Sequence, residues 1–416
     1  MSKFVVIGGK PLQGTVTVSG AKNAVLPIIA ASLLTAEPVV LEDAPDLLDV
    51  SVMSQVVEAV GAHVVRDGTT LRLQAGQILN IETPHELVSK MRASFVTMGP
   101  LLAREGHVRI SHPGGCAIGS RPINWHLKGL EALGAEIRMD HGYLDARAET
   151  LRGARIYLDF PSVGATENIM MAAVLARGVT ILENAAQEPE IVDLANFLNE
   201  MGARVRGAGT SIVHIEGVKE LHGAEHLVIP DRIEAGTYLL MAAAAGGDVL
   251  VENVIIDHLK PVLAKIEEAG IHFEDEGDGV RIIREGPYKA VDVKTQVHPG
   301  FPTDLQAPFM ALLAKAQGSA MVTETVFENR FMHVDELKRM GADIKIDGRS
   351  ALVQGVSRLA AAPVAAADLR AGAALILAAL TAEGTTEISG VEHIDRGYER
   401  IEEKLAGIGG PICRED

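Results

Sequence analysis

Aromatic residues are scarce in this chain. They make up 4% of it, and Trp125 is the only tryptophan, which leaves too few rings for a base-stacking nucleic-acid platform. Cysteine is scarcer still. Cys116 and Cys413 are the only two, so there is neither a disulfide framework nor a cysteine-rich metal cluster. Positive charge is in deficit, with 38 Lys and Arg against 55 Asp and Glu, a net of −17. That field repels nucleic acid and anionic membrane surfaces, so any phosphate site has to be a local cationic cluster. No uncharged run approaches the ~18 residues that a membrane-crossing helix needs. The start, Met-Ser-Lys-Phe-Val-Val-Ile-Gly-Gly, lacks the long apolar segment of a secretory signal. The expectation is a cytoplasmic protein, a monomer or weak homo-oligomer, that engages neither nucleic acid nor membrane. What is present is ordinary for a globular protein: 47% apolar and 22% charged residues over 416 positions, enough for two or three domains.

Six glycines mark an internal repeat. Gly61, Gly134, Gly202, Gly270, Gly341 and Gly409 each follow an amphipathic stretch, at spacings of 73, 68, 68, 71 and 68. Five of them lead into apolar–polar alternation, as in Ala62-His63-Val64-Val65-Arg66. Helix, glycine C-cap, strand is the physical reading. A second marker keeps step with the first: a turn, then a strand, at 37–41, 106–110, 178–182, 247–251, 318–322 and 384–388. Small-residue stretches such as Met170-Met171-Ala172-Ala173-Val174-Leu175-Ala176 precede several of these and read as buried, closely packed helices. The fold class is therefore α/β, with six repeats of about 70 residues. Repeats this long suit two domains of three better than a solenoid. Ile229-Pro230-Asp231-Arg232 begins the fourth repeat, and the strand-like Thr15-Val16-Thr17-Val18 fits either half.

Several motif matches fail on inspection. Gly14 to Lys22 lacks phosphate-loop spacing, and His85-Glu86-Leu87-Val88-Ser89 lacks the second histidine of a zinc helix. Glu274-Asp275-Glu276-Gly277-Asp278-Gly279 half-matches a calcium loop, but its flanks alternate like hairpin strands, so it reads as a solvated acidic turn. The segment His112-Pro113-Gly114-Gly115-Cys116-Ala117-Ile118-Gly119-Ser120-Arg121-Pro122 is different. Two prolines bracket three glycines, the backbone freedom of a moving lid, and Arg121 would favour the thiolate of Cys116; the plain alternative is an inert loop cysteine. Ser19-Gly20-Ala21-Lys22-Asn23 ends a strand and opens a helix, where backbone N–H groups and Lys22 suit an anion; the plain alternative is a solvated lysine beside an Asn cap. Phe301-Pro302-Thr303-Asp304 puts a carboxylate in a proline turn. Arg330, Asp368-Leu369-Arg370 and Asp395-Arg396 fall at or near corresponding parts of later repeats. Singly these would be surface ion pairs worth under ~1 kcal/mol; converging, they form a pocket for a multiply charged anion.

Six segments in order resemble one family, the UDP-N-acetylglucosamine 1-carboxyvinyltransferases of the EPSP synthase superfamily, which are enolpyruvyl transferases. They are Ser19-Gly20-Ala21-Lys22-Asn23, Pro113-Gly114-Gly115-Cys116 with Arg121-Pro122, Ser162-Val163-Gly164-Ala165-Thr166, Phe301-Pro302-Thr303-Asp304, Glu324-Thr325-Val326-Phe327-Glu328-Asn329-Arg330-Phe331, and His393-Ile394-Asp395-Arg396-Gly397-Tyr398. The resemblance implies a two-domain inverse α/β barrel with three repeats per domain. Residues 1–21 plus 230–416 would form one domain, and 22–229 the other, carrying the Cys116 loop. Substrates would bind between them, with no metal and no cofactor.

It further implies roles for particular residues. Lys22, Arg121 and Arg396 would hold the phosphate of phosphoenolpyruvate, with Arg330 and Arg370 lining the same site and Asp368 among the substrate-binding residues. Asn23, Arg92, Asp304 and Val326 would position the amino sugar of UDP-N-acetylglucosamine. Arg121, Pro122, Ile123, Asn124 and Trp125, with Ser162, Val163 and Gly164, would hold the uridine diphosphate. Phe160 stands where some relatives carry a lysine, so backbone contacts matter more there, and Trp125 either stacks or simply packs. The reaction it implies adds the sugar 3-hydroxyl to C2 of phosphoenolpyruvate and then eliminates phosphate, opening peptidoglycan precursor synthesis for the cell wall. Asp304 would take the hydroxyl proton. Cys116, the residue that fosfomycin inactivates, would deliver a proton to C3 or else aid product release. Transfer to shikimate 3-phosphate, an RNA-end cyclase and a non-catalytic repeat scaffold are the rival readings.

Overall fold

The computed structural model describes residues 2–112, 119 and 122–415, with Lys90 by its backbone alone. The chain falls into two compact units, residues 2–19, 119 and 230–415 in the first and 20–112 with 122–229 in the second. The boundary near the N-terminus sits two residues earlier than the expected division at 21. The Ala21 N–H donates to the Ile229 carbonyl at 2.7 Å, and Gly20 lies so close to the Asp43 carbonyl that a Cβ would sit 1.9 Å from it. Both residues thus belong with the second unit.

The small-residue stretches are helices, three to a unit. In chain order they are α1 (Lys22–Ala31), α2 (Met98–Glu105), α3 (Val163–Ala173), α4 (Arg232–Ala245), α5 (Gln306–Leu313) and α6 (Leu369–Thr381). They are mostly apolar and largely buried: residues 370–381 of α6 are all buried. In the first unit α4, α5 and α6 pack against one another. In the second, α2 packs on α3, and the 3-10 segment Arg92–Thr97 fills the space beside α1. Glycine permits the closest approaches. A Cβ on Gly99 of α2 would lie 2.2 Å from the Asn168 carbonyl of α3, and one on Gly236 of α4 would lie 2.4 Å from Leu305. Each fully buried Leu or Ile in these cores contributes roughly 1.5–3 kcal/mol.

Sheets enclose the helices. Among the described residues there are six, five of four strands and one of three. The third repeat shows the pattern. Arg155–Tyr157 runs parallel to Val179–Glu183, with α3 as the crossover, and Val179–Glu183 then pairs antiparallel with Ile212–Glu216. The outer helix Pro189–Glu200 leads to the hairpin of Arg204–Arg206 and Ile212–Glu216. The six marker glycines end the outer helices, each at a positive φ between 81° and 113° that L side chains disfavour. The acidic stretch near 274 is a hairpin turn, with His272–Asp275 antiparallel to Gly279–Arg284.

Sequence-distant strands complete the sheets. Leu12–Thr17, which fitted either half by sequence, pairs parallel with Gly247–Glu252 in the first unit. Lys3–Ile7 lies between Thr385–Ser389 and Ile412–Glu415. Glu225–Leu227, at the far end of the second unit, pairs with Val39–Glu42 at its beginning. Residue 119 apart, the chain therefore leaves the first unit after Ser19 and returns to it at Pro230. No helix among the described residues is long and apolar enough to cross a membrane.

Candidate active site

In the first unit, Pro302 at φ −70° starts a 3-10 turn, Thr303–Leu305, that runs directly into α5 and holds Asp304 at its centre. Asp368 caps α6 by accepting the N–H groups of Arg370 and Ala371 at 2.8 and 3.0 Å, which places Arg370 in the first turn of that helix. Arg330 follows the strand Ser319–Thr323. The three converge. Arg330 Nη2 donates to Asp304 Oδ1 at 2.7 Å, while Arg370 Nη2 and Nε donate to Oδ2 at 2.9 and 3.2 Å. The two arginine side chains are only 6% and 4% exposed, so the shared carboxylate is what makes their burial tolerable. Burial alone would raise the Asp304 carboxyl, but Arg370 and Arg330 outweigh it and hold the group far below the usual carboxylate range. Aromatic faces support both cations: Arg370 lies over Tyr398 at 5.3 Å and Arg330 over Phe327 at 5.0 Å. Val326 donates its N–H to Glu324 Oε1 at 2.8 Å. Arg396 lies half-buried in the turn after the short helix Val391–Ile394.

In the second unit, Lys22 opens α1 with its side chain buried, its Nζ 2.8 Å from Asp49 Oδ2 in the first turn of the outer helix Leu48–Ala59. This differs from the reading of Lys22 as a solvated lysine beside an Asn cap. The lysine is not solvated, the N-cap is Ala21 rather than Asn23, and a buried carboxylate already faces the ammonium. Asn23 is half-buried beside it. Ser162 caps α3, its Oγ accepting the Ala165 N–H at 3.4 Å. Val163 and Gly164 are thus the first two helical residues, whose N–H groups have no partner within the helix and suit an anion. Gly164 adjoins His126; a Cβ there would sit 3.2 Å from His126 Cε1. Burial, with the nearby charge of Arg92, pushes His126 down to about 3, so the ring is neutral. Its Nδ1 accepts from Asn168 Nδ2 at 3.1 Å, and Asn168 Oδ1 takes the Gly99 N–H. Arg92 begins the 3-10 segment Arg92–Thr97. Pro122 is exposed, Ile123 is buried, and Asn124 opens the helix Asn124–Ala132. Trp125 stacks on Phe160, ring centroids 5.5 Å apart and planes 23° apart.

Cys116 and Arg121 lie outside the described residues. Among the rest, Asp304, Arg330, Arg370 and Asp368 meet in one unit, and Ser162, Val163, Gly164, Arg92 and Trp125 gather around α3 and its neighbours in the other. Sequence reasoning missed Asp49, His126, Asn168, Thr303 and Glu324. Only Thr303 and Glu324 had a signal, since both lie inside quoted motifs.

Comparison with known proteins identifies the family of the chain. A family model described as EPSP synthase (3-phosphoshikimate 1-carboxyvinyltransferase) matches residues 6–405. The chain is 61% identical, over the full length of both, to UDP-N-acetylglucosamine 1-carboxyvinyltransferase 1 of Caldanaerobacter subterraneus subsp. tengcongensis. It is 60% identical, over all of this chain and 99% of the relative, to UDP-N-acetylglucosamine 1-carboxyvinyltransferase 2 of Carboxydothermus hydrogenoformans. Among solved structures, the enolpyruvyl transferase NikO from Streptomyces tendae superposes with a TM-score of 0.91 at 26% identity, covering 99% of this chain and 98% of that one. An EPSP synthase from Acinetobacter baumannii, at 18% identity and TM-score 0.77 over the whole of both chains, shares the fold. The chain belongs to the EPSP synthase family of enolpyruvyl transferases, and within it to the group of the UDP-N-acetylglucosamine 1-carboxyvinyltransferases.

Proposed function

We propose that this protein transfers the enolpyruvyl group of phosphoenolpyruvate to the 3-hydroxyl of UDP-N-acetylglucosamine and releases phosphate, the first committed step of peptidoglycan precursor synthesis. The observation that carries the reading is full-length identity of 56–61% to four relatives of that name. The Asp304–Arg330–Arg370 cluster supports it chemically.

The sugar hydroxyl oxygen forms a bond to C2 of phosphoenolpyruvate while its proton passes to Asp304 and C3 gains a proton. Loss of a C3 proton then restores the double bond as the C2–O bond to phosphate breaks. Asp304 is held as an anion and so is free to accept the hydroxyl's hydrogen bond. Its basicity rises when Arg330 and Arg370 share their charge with the anionic substrate, which links binding to proton transfer. The same guanidinium groups, with Arg396, Lys22 and Arg121, stabilise the phosphate as it leaves. Cys116 is the donor to C3 or the group that aids product release. The start of α3, at Ser162, Val163 and Gly164, receives the diphosphate, with the Trp125–Phe160 pair as an apolar wall beside it. Asn23, Arg92 and Val326 orient the sugar, and Pro122, Ile123 and Asn124 border the uridine. Asp368 contributes by placing Arg370.

The test is incubation of the purified protein with both substrates and mass analysis of the nucleotide sugar. An added enolpyruvyl group is expected. An unchanged nucleotide sugar under conditions where the protein is folded contradicts the reading.

A further inference from the structure

Glu324 is buried with 0% exposure, yet it belongs to none of the groups so far given a part in the reaction. Its carboxyl group accepts four hydrogen bonds, all from neutral donors. Oε1 takes the Thr295 hydroxyl at 2.8 Å, the Val326 N–H at 2.8 Å and the Phe327 N–H at 3.2 Å. Oε2 takes the Thr303 hydroxyl at 2.8 Å. The last bond has a directional consequence. With its one proton committed to Glu324, the Thr303 oxygen presents only lone pairs to the other side, and Arg330 Nη1 donates to it at 2.8 Å. The other arm of the same guanidinium, Nη2, donates to Asp304 at 2.7 Å. Thr303 also immediately precedes Asp304 in the 3-10 turn.

We propose that Glu324 is a positioning residue: through the Thr303 hydroxyl it fixes the plane of the Arg330 guanidinium against Asp304, and through the Val326 N–H it fixes the adjoining backbone. A buried acceptor with four donors has one orientation, so the relay from Glu324 to Thr303 to Arg330 to Asp304 is preorganised before substrate arrives. Thr295 braces it from the neighbouring strand end: its own oxygen accepts the Thr325 N–H at 3.0 Å while its hydroxyl is held by Glu324. The inference rests on the enolpyruvyl-transfer reading and adds to it a group that touches no substrate.

The test compares wild type with Thr303→Val, Thr303→Ser, Glu324→Gln and the Thr303→Val/Glu324→Gln double variant, reading kcat and KM for both substrates by phosphate release. Thr303→Val keeps the shape and removes the relay. It is expected to lower kcat about tenfold or more, with KM for UDP-N-acetylglucosamine changed less than about threefold. Thr303→Ser restores the hydroxyl and returns kcat to within about threefold of wild type, a rescue that a merely structural role would not produce. If Glu324 acts through Thr303, the double variant falls no more than about threefold below the worse single one rather than to the product of the two losses. A Thr303→Val enzyme within about twofold of wild type overturns the proposal while leaving the transfer reading intact. So does a double variant whose losses multiply. A wild-type protein without activity overturns both. Should Glu324→Gln fail to fold, the two Thr303 variants decide alone.

Discussion

A carboxylate touched by two buried guanidinium groups is stable only as an anion. Asp304 meets that condition, and in the proposed mechanism it ties stability and chemistry to one side chain. Replacing it with Asn removes the proton acceptor and leaves Arg330 and Arg370 unmatched. The expected result for Asp304→Asn is a kcat lower by about 10²–10⁴-fold, together with a loss of about 3–5 kcal/mol in denaturant unfolding. Glu167 poses the opposite problem. It is buried in α3, and burial, reinforced by Glu190 and Glu188, raises its carboxyl from 4.5 to about 8. Between those values the folded protein keeps a proton that the unfolded chain gives up, so this residue makes stability fall as pH rises through that window. Glu167→Gln removes the penalty. Thermal unfolding is expected to show the variant more stable than wild type at pH 8 and no more stable at pH 4; equal stability at pH 8 contradicts the shift. Asp304 was legible in the sequence because a proline turn is local. Its clamp was not, since Arg330 and Arg370 lie 26 and 66 positions further along the chain. Lys22 was legible as a cation, but nothing near it in sequence announces Asp49.

At the scale of elements, the inner helices depend on close approach. Gly99 of α2 sits where a Cβ would meet the Asn168 carbonyl at 2.2 Å and its Oδ1 at 2.5 Å. Asn168 is also the residue that holds His126 beside Gly164. Gly99→Ala should therefore cost about 1–3 kcal/mol of stability from overpacking and raise KM for UDP-N-acetylglucosamine, because displaced Asn168 releases His126 at the start of α3. Chemical denaturation and steady-state kinetics check the two parts; unchanged values of both contradict this account of the packing. The helices and their glycine ends were readable because both signals are local, a run of small apolar residues and a backbone turn that needs a positive φ. The parallel edge strands Val293–Lys294 and Val364–Ala365 were not, because two residues carry no alternation.

The whole molecule is two units threaded twice by one chain, and that threading is the part of the fold least visible in sequence. Thr15-Val16-Thr17-Val18 reads as a strand, but the pairing partners of Leu12–Thr17 and Lys3–Ile7, more than 200 residues away, leave no local trace. Function was legible at this scale through the order of six short motifs rather than through any one of them. The full-length relatives bear the name of the family those motifs resemble. The account stands on acceptor-dependent chemistry. Phosphate release from phosphoenolpyruvate, followed with UDP-N-acetylglucosamine, with shikimate 3-phosphate or with neither, tests it most directly. The account predicts release with the nucleotide sugar alone; release with shikimate 3-phosphate instead, or none with the nucleotide sugar, would contradict it.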